Sequence, residues 1–228
     1  MSKRVFISGG SRGIGLAIAR EFYRQDFEVI ICARGAARLA EAKTELPQLN
    51  TLVCDMGDRE QVAELGNRLN DTGPLDVLVN NAGIFRQGSL LDMEQGSFEQ
   101  MMQVNLFGAF YLTRGVLPAM LQQKRGTIIN IGSIAGRKAY SSSSLYSISK
   151  FAFDGFTQNL REELKPHGIR VINVMPGATW TDSWGGVELP EDRFMPVEDI
   201  GKIVFDAYNL SGRTVIEEIV ARPQLGDV

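Results

Sequence analysis

Short, continuously apolar runs alternate along the chain with stretches of helical spacing. RVFIS, EVIICA, TLVC, LDVLVN, GTIINIG and IRVINVM are rich in β-branched residues, and the segments between them open or close on Gly, Pro, Asp or Ser. Runs that are apolar throughout, rather than at every second position, suit strands covered on both faces. Strand alternating with helix predicts an α/β architecture with a doubly wound parallel sheet. A helix around residues 196–210 and a last strand in VIEEIVA bring the expected sheet to about seven strands.

Composition narrows the picture. A chain of 228 residues, 44% hydrophobic and 22% charged, can bury one substantial core, so residues 1–228 are expected to form a single domain. A net charge of −3 with acids and bases mixed throughout gives no basic stripe, which argues against nucleic acid as a partner. The apolar stretch in MSKRVFISGG is too short for a signal segment, and no run approaches the ~18 uninterrupted apolar residues of a membrane span. A cytoplasmic protein without a membrane partner is the expectation. His167 is the only histidine, so a multi-histidine zinc site is ruled out and no metal is expected. Cys32 and Cys54, each near the end of a strand run and without a CxxC neighbour, read as buried reduced thiols.

The first candidate chemistry lies in SGGSRGIG, residues 8–15, where the first strand gives way to the first helix. Gly9, Gly13 and Gly15, with Ser11, Arg12 and Ile14 between them, would aim backbone N–H groups and a positive helix end at a docking pyrophosphate. The spacing is GxxxGxG, and no Lys-Ser/Thr follows, which disfavours a nucleotide triphosphate loop. In isolation such a cluster reads equally as a plain turn; its place after the first strand of an alternating pattern points to a dinucleotide.

A ribose-reading residue is then expected about 20 positions on, at the end of the second strand. There the chain has Cys32-Ala33-Arg34: no carboxylate for a 2′-hydroxyl, but a guanidinium able to grip a 2′-phosphate. Arg12 could add a second cation. Each arginine alone reads as well as a solvated surface residue; the pair, with no competing acid, favours NADP(H) over NAD(H). Asp55, with Met56 behind it at the end of the third run, is placed to meet an adenine edge, or to cap a helix.

A second cluster follows. Tyr146 and Lys150 stand one helical turn apart on one face, where an ammonium could stabilise a phenolate and make an acid/base of a group whose ordinary pKa is ~10. Ser133 follows GTIINIG, at the strand end where open α/β sheets bind ligands. The serines at 141–144 read as a polar loop and cap entering the tyrosine's helix.

Taken in order, SGGSRGIG, CDM, NNAG at residues 80–83, Asn105, Ser133, YSISK at 146–150 and PGATWT at 176–181 resemble the short-chain dehydrogenase/reductase family in its compact single-domain form. The resemblance covers nearly the whole chain and implies a Rossmann fold. It implies that Tyr146 is the general acid in carbonyl reduction, that Ser133 hydrogen-bonds the substrate oxygen, and that Lys150 holds the nicotinamide ribose and depresses the tyrosine pKa. Asn105 would hold a water in a proton relay. Asn81, Ala82 and Gly83 would line the cofactor site, as would Pro176, Gly177 and Thr181. Thr179 stands where an aliphatic residue is more usual, and Ser8 replaces a more common threonine while keeping the hydroxyl that ties the turn.

The resemblance further implies a small-molecule carbonyl or alcohol substrate, contacted from IAGRKAYSSSSL and from a loop at about 178–196. Trp180, Trp184, Tyr140, Phe85 and Arg137 are the candidate pocket residues. It also implies a homodimer or homotetramer. Trp184-Gly185-Gly186 reads as a mobile flap. The competing reading is a dinucleotide-binding regulator of the same fold that has lost turnover; the intact set Asn105, Ser133, Tyr146 and Lys150 favours the enzyme.

Overall fold

The computed structural model describes residues 2–184 and 188–226. β1 (Arg4–Ser8) is buried at every position, because helices cover both of its faces. It lies near the middle of a seven-stranded sheet with β2 (Glu28–Ala33), β3 (Asn50–Val53), β4 (Val77–Asn80), β5 (Gly126–Ile131), β6 (Ile169–Pro176) and β7 (Glu218–Ala221). The order is β3-β2-β1-β4-β5-β6-β7 and every pairing is parallel. This is the doubly wound Rossmann architecture expected from the alternating pattern.

Alternation within β1 sorts its side chains into two cores. Val5 and Ile7 join a cluster with Ile18 and Phe22 of α1 (Gly13–Arg24), Leu39 and Ala42 of α2 (Ala36–Glu45), and Ile200 and Val204 of α7 (Val197–Tyr208). Phe6 joins the opposite cluster with α3 (Arg59–Asp71), α5 (Gly108–Gln123) and α6 (Ser144–Leu164). Helix α4 (Ser97–Met102) runs through a π turn, Gln103–Phe107, into α5. The stretch Ser97–Gln123 is long and apolar enough to pass for a membrane span, but its buried side chains, among them Leu112, Val116 and Met120, serve the second core.

The last strand is shorter than VIEEIVA suggests: only Glu218–Ala221 pairs, and Val215 lies exposed before it. As an edge strand it has one neighbour and a half-exposed pattern, pairing with Asn173–Pro176 of β6.

Because the chain leaves β1 toward β2 and later returns to β4 on the other side, a crevice opens at the C-terminal ends of β1 and β4, the usual ligand position in such sheets.

Candidate active site

The turn after β1 forms one wall of that crevice. Gly9 and Gly13 adopt left-handed backbone angles of +66° and +54°, and a Cβ at Gly15 would overlap the Gly9 carbonyl oxygen. Ser8 ties the turn to β4: its Oγ accepts the backbone N–H groups of Asn81 and Ala82, both at 3.0 Å. The Asn81 amide donates back to the carbonyls of Ser8 and Gly9. Gly10, which the sequence reading passed over, is equally constrained, since a Cβ there would press into Ile31.

At the N-terminus of α1 no described side chain caps the first turn, and no acid stands in it. Helix α3 differs, with Asp58 accepting from the N–H groups of Glu60 and Gln61. Uncapped N–H donors at a glycine turn facing a crevice fit an anionic pyrophosphate, so the chain's own residues suit the dinucleotide that the sequence suggests.

The opposite wall carries the Ser-Tyr-Lys cluster. Ser133 follows β5, and its Oγ accepts the Ala135 N–H at 3.1 Å, opening the 3-10 turn Ile134–Gly136. Tyr146 lies in the first turn of α6 and faces the crevice with Ser133. Lys150 is buried one turn on, its Nζ donating to the Ile131 carbonyl at 3.0 Å and standing 5.8 Å from the centre of the Tyr146 ring.

The electrostatics correct one expectation. Burial pushes the Tyr146 phenol above its ordinary pKa, and the opposing influence is the Ser133 hydrogen bond rather than Lys150. Lys150 is itself lowered to about 8 by desolvation. Its ammonium is turned to the Ile131 backbone carbonyl.

A cleft of about 350 Å³ joins the two walls. Of the sequence-predicted residues it brings together Gly9, Arg12, Gly13, Ile14, Gly15, Asn81, Gly83, Ser133, Tyr146, Lys150, Pro176, Gly177, Thr179 and Thr181. Arg34 and Asp55 line a separate recess with Gly57, Asp58 and Gln103. Asp55 is not the cap of α3; its Oδ1 accepts the Gly57 N–H at 2.9 Å, shaping the turn. Ser11, Met56, Ala82 and Asn105 line neither space. The Met56 side chain is buried in the second core, with Sδ 3.9 Å from Cys32 Sγ. Cys32 and Cys54 are both free and buried.

Asn105 sits in the π turn, and its amide is fully engaged. Oδ1 accepts the Ile84 N–H at 2.7 Å, while Nδ2 donates to the Ile84 carbonyl and to Ser149 Oγ, both at 3.0 Å. With both donors spent, the side chain braces the segment after β4.

Arg12 is likewise occupied, paired with Asp182 across the mouth of the cleft. Both groups are largely exposed, so the pair contributes little to stability. Sequence reasoning missed Asp182, whose sole signal is its place just after Thr181. It also missed Phe194, on which Trp180 and Trp184 pack at ring distances of 5.1 and 4.9 Å. Trp184 also meets Phe85, which stands edge-on to Tyr146 at 5.0 Å, so an aromatic wall runs from the phenol to the second loop. Gly185 and Gly186 of the expected flap lie outside the described residues; Trp184 itself is packed.

The serine segment also differs from expectation. Ser143 occupies the N-cap position of α6 but makes no capping side-chain bond. A short bridge to Gly88 holds the segment instead, with Gly88 N–H donating to Ser142 and Ser144 N–H to Gly88.

Residues 3–191 match the sequence profile of the short chain dehydrogenase family. The chain belongs to that family. Across its whole length it is 38% identical to the sepiapterin reductase of Chlorobaculum tepidum, covering 99% of that protein. Among solved short-chain dehydrogenase structures, a metagenomic oxidoreductase in complex with NADP superposes with a TM-score of 0.84 at 31% identity, each chain 97% covered. An alcohol dehydrogenase from Thermococcus sibiricus complexed with 5-hydroxy-NADP gives a TM-score of 0.92 at 25% identity, covering 100% of this chain and 99% of that one. As a short-chain dehydrogenase the protein is an oxidoreductase, and two family features are visible in its geometry: the glycine turn facing the cleft, and a tyrosine with lysine one turn along α6.

Proposed function

We propose that this protein is an NADP(H)-dependent carbonyl reductase, or the corresponding alcohol dehydrogenase, with Tyr146 as general acid/base. The observation that carries the reading is that Ser133, Tyr146 and Lys150 line one cleft together with the glycine turn. NADP(H) supplies the hydride. A carbonyl oxygen seated between the two hydroxyls gains negative charge as it is reduced; Ser133 donates a hydrogen bond to it and Tyr146 delivers the proton. A phenol kept neutral by burial is loaded for that donation at neutral pH. Lys150 binds the nicotinamide ribose and adds its charge once turned from Ile131 toward the phenol. Gly9, Gly13, Gly15 and the uncapped end of α1 hold the pyrophosphate. Asn81, Gly83, Pro176, Gly177, Thr179 and Thr181 frame the nicotinamide end.

Arg34 binds the 2′-phosphate in the recess it shares with Asp55, which favours NADP(H) over NAD(H). The NADP-bound relatives support that choice. The whole chain acts as one cytoplasmic catalytic domain, assembled as a homodimer or homotetramer, with residues 178–196 as the substrate loop. A regulator without turnover would have no use for Ser133, Tyr146 and Lys150 in one cleft.

The aromatic wall of Phe85 and Trp184 suits a planar substrate beside its reacting carbonyl. Sepiapterin, named by the relative from Chlorobaculum, is therefore the first compound to test, followed by a panel of ketones, quinones and acyl thioesters. NADPH consumption dependent on one of these carbonyls is the expected result. Consumption that persists unchanged in Tyr146→Phe would refute the mechanism.

A further inference from the structure

Asp154 has no place in the chemistry above, yet its carboxylate is the most heavily engaged acid near the site. It lies on α6 one turn beyond Lys150 and is nearly buried. Oδ1 accepts from Asn173 Nδ2 at 2.8 Å and from Arg137 Nη2 at 3.1 Å. Oδ2 accepts from Gln158 Nε2 at 2.7 Å and stands 3.1 Å from Arg137 Nε. The contact with Arg137 is therefore the two-pronged guanidinium–carboxylate geometry, which fixes orientation as well as distance.

Both principal partners bear on Ser133. Arg137 immediately follows the 3-10 turn that Ser133 opens. Asn173, in register with Asn130 on β5, lies beneath Gly132, where a Cβ would come within 2.6 Å of its Oδ1. The turn itself rests on α6, since a Cβ at Gly136 would be 2.8 Å from the Lys150 carbonyl oxygen. One carboxylate thus joins the helix that carries Tyr146 and Lys150 to the residues on either side of Ser133.

We infer that Asp154, acting through Arg137 and Asn173, is a positioning residue that sets the Ser133 hydroxyl against the Tyr146 phenol. The inference rests on the carbonyl-reductase reading for its kinetic consequence, while the geometry it invokes stands apart from turnover. Arg137 also pairs with Glu218 on β7, and Arg161 lies 3.9 Å from Glu217 and from Glu218, so the ionic set extends to the sheet edge.

The test uses Asp154→Asn, Arg137→Gln and the double variant, each assayed well below its unfolding temperature. Misplacement of a reacting group by about 1 Å can cost about 10²-fold in rate. Each single variant is expected to lose tenfold or more in kcat, on the order of that figure, with NADPH Kd little changed. The double variant should lose no more than the worse single. Arg137 is partly exposed, so Arg137→Gln keeps the test alive if Asp154→Asn fails to fold. Folded singles with parental kcat, or losses that multiply in the double variant, would overturn the inference.

Titration of the Tyr146 phenol, read as the difference spectrum against Tyr146→Phe, supplies an answer independent of turnover. Loss of the Ser133 hydrogen bond should move it to higher pH. If the parent reduces no carbonyl, the function reading fails, and an unmoved phenol titration in the variants would then separately overturn the positioning role.

Discussion

The cleft and the separate Arg34–Asp55 recess are built on opposite principles. Around the Ser133–Tyr146–Lys150 cluster, Ser133, Lys150 and Asn105 are buried and each has a fixed hydrogen-bond partner. In the recess, Arg34 is exposed, Asp55 is half-buried, and the lining is mostly polar side chains. The contrast matches what the proposed function asks of each. Proton and hydride transfer depend on placement to fractions of an ångström, which a packed interior provides. Recognition of a charged phosphate needs a strong, oriented cation and tolerates solvent.

Replacing Tyr146 with Phe should disable the cleft most severely. It deletes a single hydroxyl and keeps the ring against Phe85, so packing survives. Loss of a general acid costs about 10²–10⁴-fold, so kcat should fall by that order while NADPH affinity, measured by fluorescence titration, changes little. Equal losses in kcat and affinity would mean that the phenol serves binding rather than proton transfer.

The recess is tested by Arg34→Asp. A hydrogen bond to a charged group contributes about 1.5–3 kcal/mol, so kcat/KM with NADPH should drop by roughly 10- to 10²-fold, and the new carboxylate should raise kcat/KM with NADH. The exposed setting should leave the unfolding temperature nearly unchanged. A parent enzyme that already prefers NADH would remove the phosphate role from Arg34. In that case Arg12 would be tested next, with Asp182→Asn releasing it from its present partner.

How much of this was legible beforehand divides along the same line. The alternation of strand and helix, the glycine turn and the Tyr146–Lys150 spacing were readable because they depend on period and local sequence: apolar runs, a left-handed glycine, one helical turn. What escaped depends on tertiary partners far apart in the chain. Nothing local announces that Arg12 would meet Asp182, that Lys150 would donate to Ile131, or that the Asn105 amide would be spent on Ile84 and Ser149. The Met56 side chain fills a gap in the second core, as a flexible thioether readily does. The serines at 141–144 looked like a cap because serine often is one; here the bridge to Gly88 fixes the segment.

Ser8→Ala tests the tie between the glycine turn and the segment after β4. One hydroxyl accepts two backbone N–H groups from the segment after β4, and its removal leaves both without that acceptor at a buried position. A buried donor left unsatisfied costs about 1–3 kcal/mol, so the variant should unfold at a lower temperature and bind NADPH more weakly. Unchanged melting with weakened binding would make the hydroxyl a cofactor contact rather than a structural tie.

Stability against pH isolates Lys150. In the folded protein its pKa is lowered to about 8 by desolvation, against 10.5 for an ordinary lysine. Below pH 8 both folded and unfolded chains hold the proton, and the full cost of burying the charge opposes folding. Between about 8 and 10.5 the unfolded chain still holds a proton that the folded chain has released, so this group makes stability rise with pH across that window. Lys150→Met lacks the group, and the parent should therefore gain stability relative to the variant as pH rises from 8 toward 10.5, measured by denaturant midpoints at constant ionic strength. Tyr146 acts in the opposite sense: with its folded pKa raised, stability falls once the unfolded phenol begins to ionise near its ordinary value of 10. A difference between parent and variant that stays flat through pH 8 would show that the folded lysine keeps its proton, and the ammonium would then be available to the cleft throughout the neutral and mildly alkaline range.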